Sequence, residues 1–130
     1  MELAKSRTKR ILVVDDEHDI KPLFLQVFRA EIKMLIVEFD FAFSGDEALD
    51  SLSSAEHKDY VLILSDINMP GMSGLDLLKK IKDCYDSITV MMITAFGDSD
   101  NYNKALEYGA DDFLVKPIDF ISLKSKILNI

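Results

Sequence analysis

Two apolar runs in this sequence end on aspartates, where a carboxylate is unexpected. The run Ile11–Val14 is followed at once by Asp15 and Asp16, and the run Val61–Leu64 is followed, after one serine, by Asp66. Turn-forming residues come directly after this last acid. An unpaired charge is not tolerated in a protein core. These carboxylates therefore either form turns or face a polar site beyond the ends of buried strands.

Two further polar side chains close apolar runs later in the chain. Thr94 ends the run that starts at Ile88, and Lys116 follows the short apolar segment Phe113–Val115. In an open parallel sheet, ligands bind beyond the carboxyl ends of the strands, where the strand order reverses. The sequence therefore predicts that the three carboxylates, the hydroxyl and the ammonium group form one cluster.

Clustered carboxylates repel one another unless a cation joins them. Mg²⁺, or Mn²⁺ in its place, suits this set, because Mg²⁺ prefers oxygen ligands and keeps several waters, so that two carboxylates and a backbone carbonyl suffice. Carboxylate, metal ion, ammonium and hydroxyl together are suited to phosphoryl transfer by positioning and charge neutralisation. A carboxylate can itself be the nucleophile and form an acyl phosphate.

The apolar pattern predicts the strands that would position these residues. Three near-continuous runs, Ile11–Val14, Val61–Leu64 and Ile88–Ile93, are typical of strands buried on both faces. The segment Val37–Phe43 alternates instead, which predicts a half-covered edge strand. Phe113–Val115 is a fifth, short candidate.

Apolar residues at helical spacing follow each predicted strand. Asp19 is the expected N-cap of the first helix, with Pro22 in its first turn, and Gly109 is expected just beyond the end of the fourth helix. The apolar residues that define the five helices are Ile20, Leu23, Phe24, Val27 and Phe28; Ala48, Leu49 and Leu52; Leu77, Leu78 and Ile81; Tyr102, Ala105 and Leu106; and Phe120, Leu123 and Ile127.

Five strand–helix units in succession imply a parallel sheet with helices on both faces, because each crossover is right-handed and must cover the sheet. The alternating second strand belongs at an edge, and the order 2-1-3-4-5 places it there. We therefore predict a single α/β domain over residues 10–130, a doubly wound five-stranded parallel sheet, preceded by a basic N-terminal tail, residues 1–9.

Composition and charge limit the classes of function. The 130 residues suffice for one domain that buries most of its apolar surface. The net charge of -8 argues against direct binding of nucleic acid or of an anionic membrane. The single cysteine suits a reducing compartment, and no apolar run approaches the ~20 residues of a membrane span. The sequence predicts a cytoplasmic protein.

Each candidate residue also has a plain structural interpretation. Aspartates at strand ends form caps and turns, a threonine suits a strand, and a lysine before a proline can be ordinary solvated charge. His18 is either a metal ligand or a solvent-facing loop residue, His57 looks inert, and Cys84 is expected to be a small filler near a helix end. The shared placement of the five polar residues at one sheet edge favours a site.

Four motifs resemble those of a known family. They are "VVDDE" at 13–17, "SDINMPGMSG" at 65–74, "MITA" at 92–95 and "GADDFLVKP" at 109–117. Together they resemble the receiver domain of two-component response regulators over nearly the whole chain. The resemblance implies a flavodoxin-like (βα)5 fold and a phosphorylation-activated signalling switch that catalyses only its own phosphotransfer and dephosphorylation.

The resemblance also implies roles for single residues. Asp66 would accept a phosphoryl group from a phosphohistidine, and Lys116 would pair with the phosphoryl oxygens and precede a cis proline. The metal set would comprise Asp15, which acts through metal-bound water, together with Asp16, Asp66 and the backbone carbonyl of Asn68.

The implied switch consists of Thr94, which would hydrogen-bond the phosphoryl group, and Phe113, which would rotate inward behind it. The surface of the fourth helix, fifth strand and fifth helix would then change and control an output domain or effector, with a homodimer as one outcome. The implied donor is a sensor histidine kinase or a histidine phosphotransfer protein. Phe96, two residues past Thr94, is expected to shield the acyl phosphate from water.

Three other functions are consistent with parts of the pattern. A metal-dependent phosphohydrolase could use the same aspartate nucleophile, but this chain has no room for a cap or a substrate pocket. A flavin-binding module would need a turn rich in glycine and hydroxyl groups after the first strand, where "DDEHD" would repel a phosphate. A protein-interaction domain with a vestigial site is the third, and an intact set of five polar residues argues against it.

Overall fold

The structure is a computed structural model that describes residues 8–54 and 59–130. These residues form five strands and six helices. The strands are β1 Lys9–Val14, β2 Val37–Ala42, β3 Tyr60–Asp66, β4 Thr89–Thr94 and β5 Asp112–Val115. The helices are α1 Ile20–Val27, α2 Arg29–Lys33, α3 Gly45–Leu52, α4 Gly74–Cys84, α5 Ser99–Glu107 and α6 Phe120–Leu128. Residues 1–7 of the predicted tail, and His57, lie outside the described residues.

The strands form one parallel sheet in the order β2-β1-β3-β4-β5, which confirms the order predicted from the sequence. β1 pairs with both β2 and β3, so that Ile11 lies between Phe39 and Leu62. The strand order reverses between β1 and β3, as expected. Within the two described ranges, no helix has the length and apolar composition needed to cross a bilayer.

Two hydrophobic layers cover the two faces of the sheet, because successive residues of a strand point to opposite faces. Leu12 and Val14 of β1 pack among residues of α3, α4 and α5. Ile11 and Val13 pack on the other face, among residues of α1 and α6. All four side chains are fully buried. This two-sided burial explains why β1, β3 and β4 read as continuous apolar runs.

β2 is an edge strand, as its alternating pattern predicts. Val37 and Phe39 are buried, whereas Glu38 is exposed. Asp40, on the polar side of the strand, accepts a hydrogen bond of 2.6 Å from the Tyr60 hydroxyl of β3. Burial of this phenol, together with its hydrogen bond to Asp40, raises the pKa of Tyr60. This hydrogen bond connects the polar side of the edge strand β2 to β3, two strands away in the sheet.

The first helical pattern forms two helices rather than one. Phe28 separates α1 from α2 with φ of -98° and ψ of 17°, outside the helical range. Its buried ring contacts the rings of Phe24, Phe39 and Phe120, at centroid distances of 5.8, 4.9 and 6.4 Å. The Phe28 ring is thus packed among residues of three other elements at the point where the helix breaks.

Two local expectations need correction. Asp19 occupies the N-cap position of α1, but its side chain makes no capping hydrogen bond, because its backbone is already helical with φ of -65° and ψ of -17°. Cys84 is the last residue of α4, yet its side chain is exposed and fills no space in the core. Gly109 follows α5 with φ of +97°, as a residue just beyond a helix end should.

Candidate functional site

The carboxyl ends of the central strands carry the polar residues singled out in the sequence. Asp15 directly follows β1, Asp66 is the last residue of β3, and Thr94 is the last residue of β4. Lys116 directly follows β5, and its backbone N–H donates a 2.9 Å hydrogen bond to the Thr94 carbonyl oxygen. The strand pairing thus brings residues from distant parts of the sequence to one edge of the sheet.

Three carboxylates meet at this edge. Asp15, Asp16 and Asp66 each offer an oxygen atom, and these three atoms lie within 4.8 Å of one another. Asp15 is 3% exposed and Asp66 is 4% exposed, whereas Asp16 is half-buried. Two of the three negative charges are therefore largely removed from water. Their mutual repulsion is stronger there than it would be in solvent, because the local dielectric constant is lower.

Local hydrogen bonds orient the two buried acids. Asp15 Oδ1 accepts a 2.9 Å hydrogen bond from the Glu17 backbone N–H, and Asp66 Oδ1 accepts one of 3.3 Å from the Asn68 N–H. Burial and the negative charge of Asp66 raise the pKa of Asp15, although the hydrogen bond from Glu17 acts in the opposite direction. The site therefore favours a proton or a cation beside Asp15.

Lys116 supplies one cation to this cluster. Its Nζ lies 2.8 Å from Asp66 Oδ2, and its peptide bond to Pro117 is cis. Burial alone would lower the pKa of Lys116, but the hydrogen bond and the negative charge of Asp66 outweigh that effect and raise it. The lysine is therefore held in its ammonium form.

The donor set fits a hard divalent cation. When all groups are ionised, three carboxylates and one ammonium leave an excess of two negative charges, which is the charge that such a cation neutralises. All three side-chain ligands are oxygens, the atoms that Mg²⁺ and Mn²⁺ prefer. The role of the Asn68 carbonyl stays a prediction, and Asn68 lies in the loop directly after β3.

The residues expected to switch, Thr94 and Phe113, lie on β4 and β5. Thr94 is buried at the end of β4. Phe113 of β5 is half-buried, and its ring packs against Tyr102 of α5 with centroids 4.3 Å apart. Phe96 lies in the turn after β4 and is 90% exposed, so its shielding role stays a prediction.

His18 is exposed in the loop between β1 and α1, and it lies outside the group of acids that could hold a metal among the described residues. The solvent-facing interpretation is therefore confirmed. Its ring is also stacked on Phe43, with centroids 3.9 Å apart. No pattern in the sequence indicates this contact, because the two residues belong to loops after different strands.

Gly74 lies where the start of α4 meets the end of β3. It is the first residue of α4, and its N–H donates a 2.7 Å hydrogen bond to the Ile67 carbonyl. A Cβ atom at this position would collide with the backbone carbonyl oxygen of Asp66. The glycine therefore allows α4 to begin directly against the strand end that carries the acid, whereas Gly71 supplies the turn with φ of +74°.

A cavity of about 550 Å³ opens beside the acids and Lys116. Its apolar walls come from α1 and from the segment after β5. They include Ile20, Leu23, Ile118 and Phe120. Asp15 and Lys116 supply the polar part of its lining together with Glu17 and Asp19.

Comparison with known proteins gives consistent matches. The model of the response regulator receiver domain family matches residues 11–128. Among curated relatives, sporulation initiation phosphotransferase F of Bacillus subtilis is 33% identical over 92% of this chain and 90% of that protein. The chemotaxis protein CheY-3 of Vibrio cholerae is 30% identical over 98% and 95%. The response regulator RppA of Synechocystis is 35% identical, and the chain spans 48% of its length.

Solved structures agree with this match. A response regulator receiver domain protein from Clostridium thermocellum superposes with a TM-score of 0.80 at 30% identity, covering 93% of this chain and 92% of that one. A CheY-like receiver domain protein from Methanospirillum hungatei gives a TM-score of 0.81 at 30% identity, with 94% and 92% covered.

Proposed function

This chain belongs to the response regulator receiver domain family, and from that premise we propose that it is a switch activated by phosphorylation of Asp66. The observation that carries the proposal is the setting of this carboxylate. It is buried at the end of β3, paired with Lys116 at 2.8 Å, and within 4.8 Å of Asp15 and Asp16. A carboxylate held in this way is both oriented and charge-compensated for phosphoryl transfer.

The reaction forms an acyl phosphate. A carboxylate oxygen of Asp66 attacks the phosphorus of a phosphohistidine, the P–N bond breaks, and the imidazole leaves as an O–P bond forms. A bound Mg²⁺ or Mn²⁺, held by Asp15, Asp16, Asp66 and the Asn68 carbonyl, would neutralise the charge that accumulates on the phosphoryl oxygens. The Lys116 ammonium transfers its pairing from the Asp66 carboxylate to those oxygens.

Phosphorylation then changes a second surface, which we term the switch face and define as α5, β5 and α6. The phosphoryl group adds roughly −1.5 to −2 charges and three acceptor oxygens. The Thr94 hydroxyl donates a hydrogen bond to one of these oxygens and moves toward it. The ring of Phe113 then enters the space that Thr94 leaves and loses its contact with Tyr102. Inverting a 1:99 population requires about 5.5 kcal/mol, and charge-assisted hydrogen bonds contribute about 1.5–3 kcal/mol each.

The proposed donor is a sensor histidine kinase or a histidine phosphotransfer protein of the cytoplasm. The cavity beside Lys116 offers room for the donor imidazole. The proposed reader of the switch face is an output domain or an effector protein. In this scheme the chain catalyses only its own phosphorylation and dephosphorylation at Asp66, and it converts no other substrate.

The test is labelling with acetyl phosphate in the presence of Mg²⁺, followed by intact-protein mass spectrometry. We expect the wild-type chain to gain one phosphoryl group and Asp66→Asn to gain none. Asp86→Asn is the matched control, because Asp86 is an exposed acid in the turn between α4 and β4, at the opposite end of the sheet, and it should label normally.

Labelling of Asp66→Asn to the wild-type extent would refute the proposal. Continuous release of phosphate over many cycles would instead support the phosphohydrolase, because a switch labels once and decays slowly.

A further inference from the structure

The rings of His18 and Phe43 form a contact between two loops at the edge of the acidic site. Their centroids lie 3.9 Å apart and their planes differ by 10°. His18 lies two residues beyond Asp16, in the loop between β1 and α1. Phe43 directly follows β2, the neighbouring strand. The stack therefore connects the loop that carries Asp16 to the next loop of the same sheet edge.

Phe43 is the fixed member of this pair. Its backbone N–H donates a 2.9 Å hydrogen bond to Glu47 Oε1, while the Glu47 N–H donates one of 3.1 Å to Ser44 Oγ. The bond to Ser44 caps the first turn of α3, and the bond to the Glu47 side chain attaches the Phe43 backbone to the same turn. On its other side, the carbonyl of Ala42 accepts a 3.1 Å hydrogen bond from the Asp15 N–H. The Phe43 backbone is therefore held between a strand and a capped helix.

The loop that carries Asp16 is less firmly held. Its hydrogen bonds after Asp15 are short-range. They run from the Glu17 N–H to Asp15, from the Ile20 N–H to the Glu17 carbonyl, and from the Lys21 N–H to the His18 carbonyl. Asp19, at its end, makes no capping hydrogen bond. Its residues from Glu17 to Asp19 are exposed. Local bonds of this kind shape a loop but do not attach it to the rest of the molecule.

Electrostatic repulsion acts on this loop. Asp16 lies within 4.8 Å of two buried carboxylates, those of Asp15 and Asp66. Asp66 is fixed on a strand, and Asp15 directly follows one, so the repulsion is relieved most easily by an outward displacement of Asp16. The stack of His18 on Phe43 opposes that displacement, because it ties the chain two residues beyond Asp16 to a fixed point.

We propose that Phe43 and His18 are positioning residues for divalent-cation binding. Their stack holds the Asp16 carboxylate beside Asp15 and Asp66 before the ion arrives, so that less ordering is required on binding. Neither ring contacts the ion in this scheme; both act through the backbone of the loop. The proposal rests on the proposed function of this site as a Mg²⁺ site.

The test is a double-mutant cycle read out by Mg²⁺ titration, with backbone amide chemical shifts as the signal. We expect His18→Ala and Phe43→Ala each to weaken Mg²⁺ binding about fivefold, which corresponds to a typical aromatic pair. The double variant should be no weaker than either single one, because both substitutions remove the same contact.

Two conservative variants test whether the stacking of the two rings, rather than another property of either side chain, supports Mg²⁺ binding. His18→Phe and Phe43→Tyr keep both rings, and each should restore the wild-type affinity. A second readout uses the metal-free protein, in which the Glu17 and His18 amides should exchange with solvent faster in His18→Ala than in the wild type. His18 is exposed, so its substitutions leave folding intact even if Phe43→Ala does not fold.

The outcomes distinguish this inference from the proposed function. If the wild type shows no Mg²⁺-dependent shifts at Asp15, Asp16 and Asp66, the metal site itself is refuted. If the wild type binds and both alanine variants bind equally well, the positioning role is refuted and the site stands. Failure of His18→Phe to restore affinity would also refute the role of the stack.

Discussion

Lys116 and Asp66 form the central pair of the site, and the pairing changes during the proposed cycle. In the structure, Lys116 Nζ lies 2.8 Å from the buried carboxylate of Asp66. Ion pairs on protein surfaces contribute about 0–1 kcal/mol, whereas removal of one partner from a buried pair leaves an uncompensated charge and costs more. In the proposed cycle the ammonium moves to the phosphoryl group, so this pair would connect the phosphoryl transfer to the change of the switch face.

Substitution of Lys116 tests that connection. We expect Lys116→Ala to be labelled by acetyl phosphate, since Asp66 and the other acids remain, but to leave the switch face unchanged. The measurement is the change in amide chemical shifts of Tyr102 and Phe113 on phosphorylation. Lys80→Ala, which removes an exposed lysine of α4, should behave as the wild type. A full response of the switch face in Lys116→Ala would contradict this prediction.

Phe96 provides a second test at this scale. Its ring is 90% exposed beside the end of β4, and we expect it to cover the acyl phosphate once that group is present. Phe96→Ala should therefore shorten the lifetime of the phosphorylated protein severalfold, because water reaches the phosphorus more easily. Decay of the label over time measures this lifetime. Ile121→Ala removes an apolar side chain that is 84% exposed on α6 and should leave it unchanged; equal lifetimes in all three proteins would exclude shielding.

At the scale of secondary structure, periodicity predicted the strands and their order because burial on two faces leaves continuous apolar runs. The carboxyl ends of those strands then placed the three aspartates, Thr94 and Lys116 at one edge. The break at Phe28 could not be predicted, because it accompanies the packing of that ring against other elements. The contact of His18 with Phe43 could not be predicted either. The two residues lie in loops after different strands, and the spacing of residues along the sequence does not show which loop residues touch.

The close approach of α4 to β3 leads to a prediction for Gly74. A methyl group there would collide with the Asp66 carbonyl oxygen, and overpacking of this kind costs about 1–3 kcal/mol of unfolding free energy. Gly74→Ala should lose stability in urea and should also be phosphorylated more slowly, because the acid is displaced.

Gly109→Ala is the control for stability alone. Its φ of +97° makes an alanine strained, at a cost of about 1–3 kcal/mol, and Gly109 lies just beyond α5, away from Asp66. It should be phosphorylated at the wild-type rate while it is folded. If Gly74→Ala also kept that rate, the glycine would matter only for stability.

At the scale of the whole molecule, the polar site and the switch face are distinct surfaces of one sheet-based domain. The switch face exposes several large apolar side chains. They are Tyr102, Leu106, Val115, Ile121 and Leu128. Such residues on one surface of a domain commonly mark a protein contact. This distribution is consistent with an acidic chain that has one surface for chemistry and another for its partners.

We expect this surface to support a homodimer of the activated chain. Size-exclusion chromatography with Mg²⁺ and a fluoride mimic of the phosphoryl group should show a shift from monomer to dimer, and Leu106→Glu should prevent it by placing a charge in the contact. Met34→Glu, which changes a side chain that is 71% exposed after α2, should still dimerise. A wild-type chain that stays monomeric with the mimic bound would contradict the prediction.

The ion pair between Asp66 and Lys116 joins residues fifty positions apart, and this separation has a consequence for synthesis. A chain still emerging from the ribosome, or cleaved before its fifth strand, carries Asp66 and its acidic neighbours but lacks the ammonium group of Lys116 that pairs with Asp66. Such an incomplete molecule cannot relay a stimulus, even if it is modified. In the proposed mechanism, competence to signal is therefore acquired only when the segment that carries Lys116 has docked on the sheet.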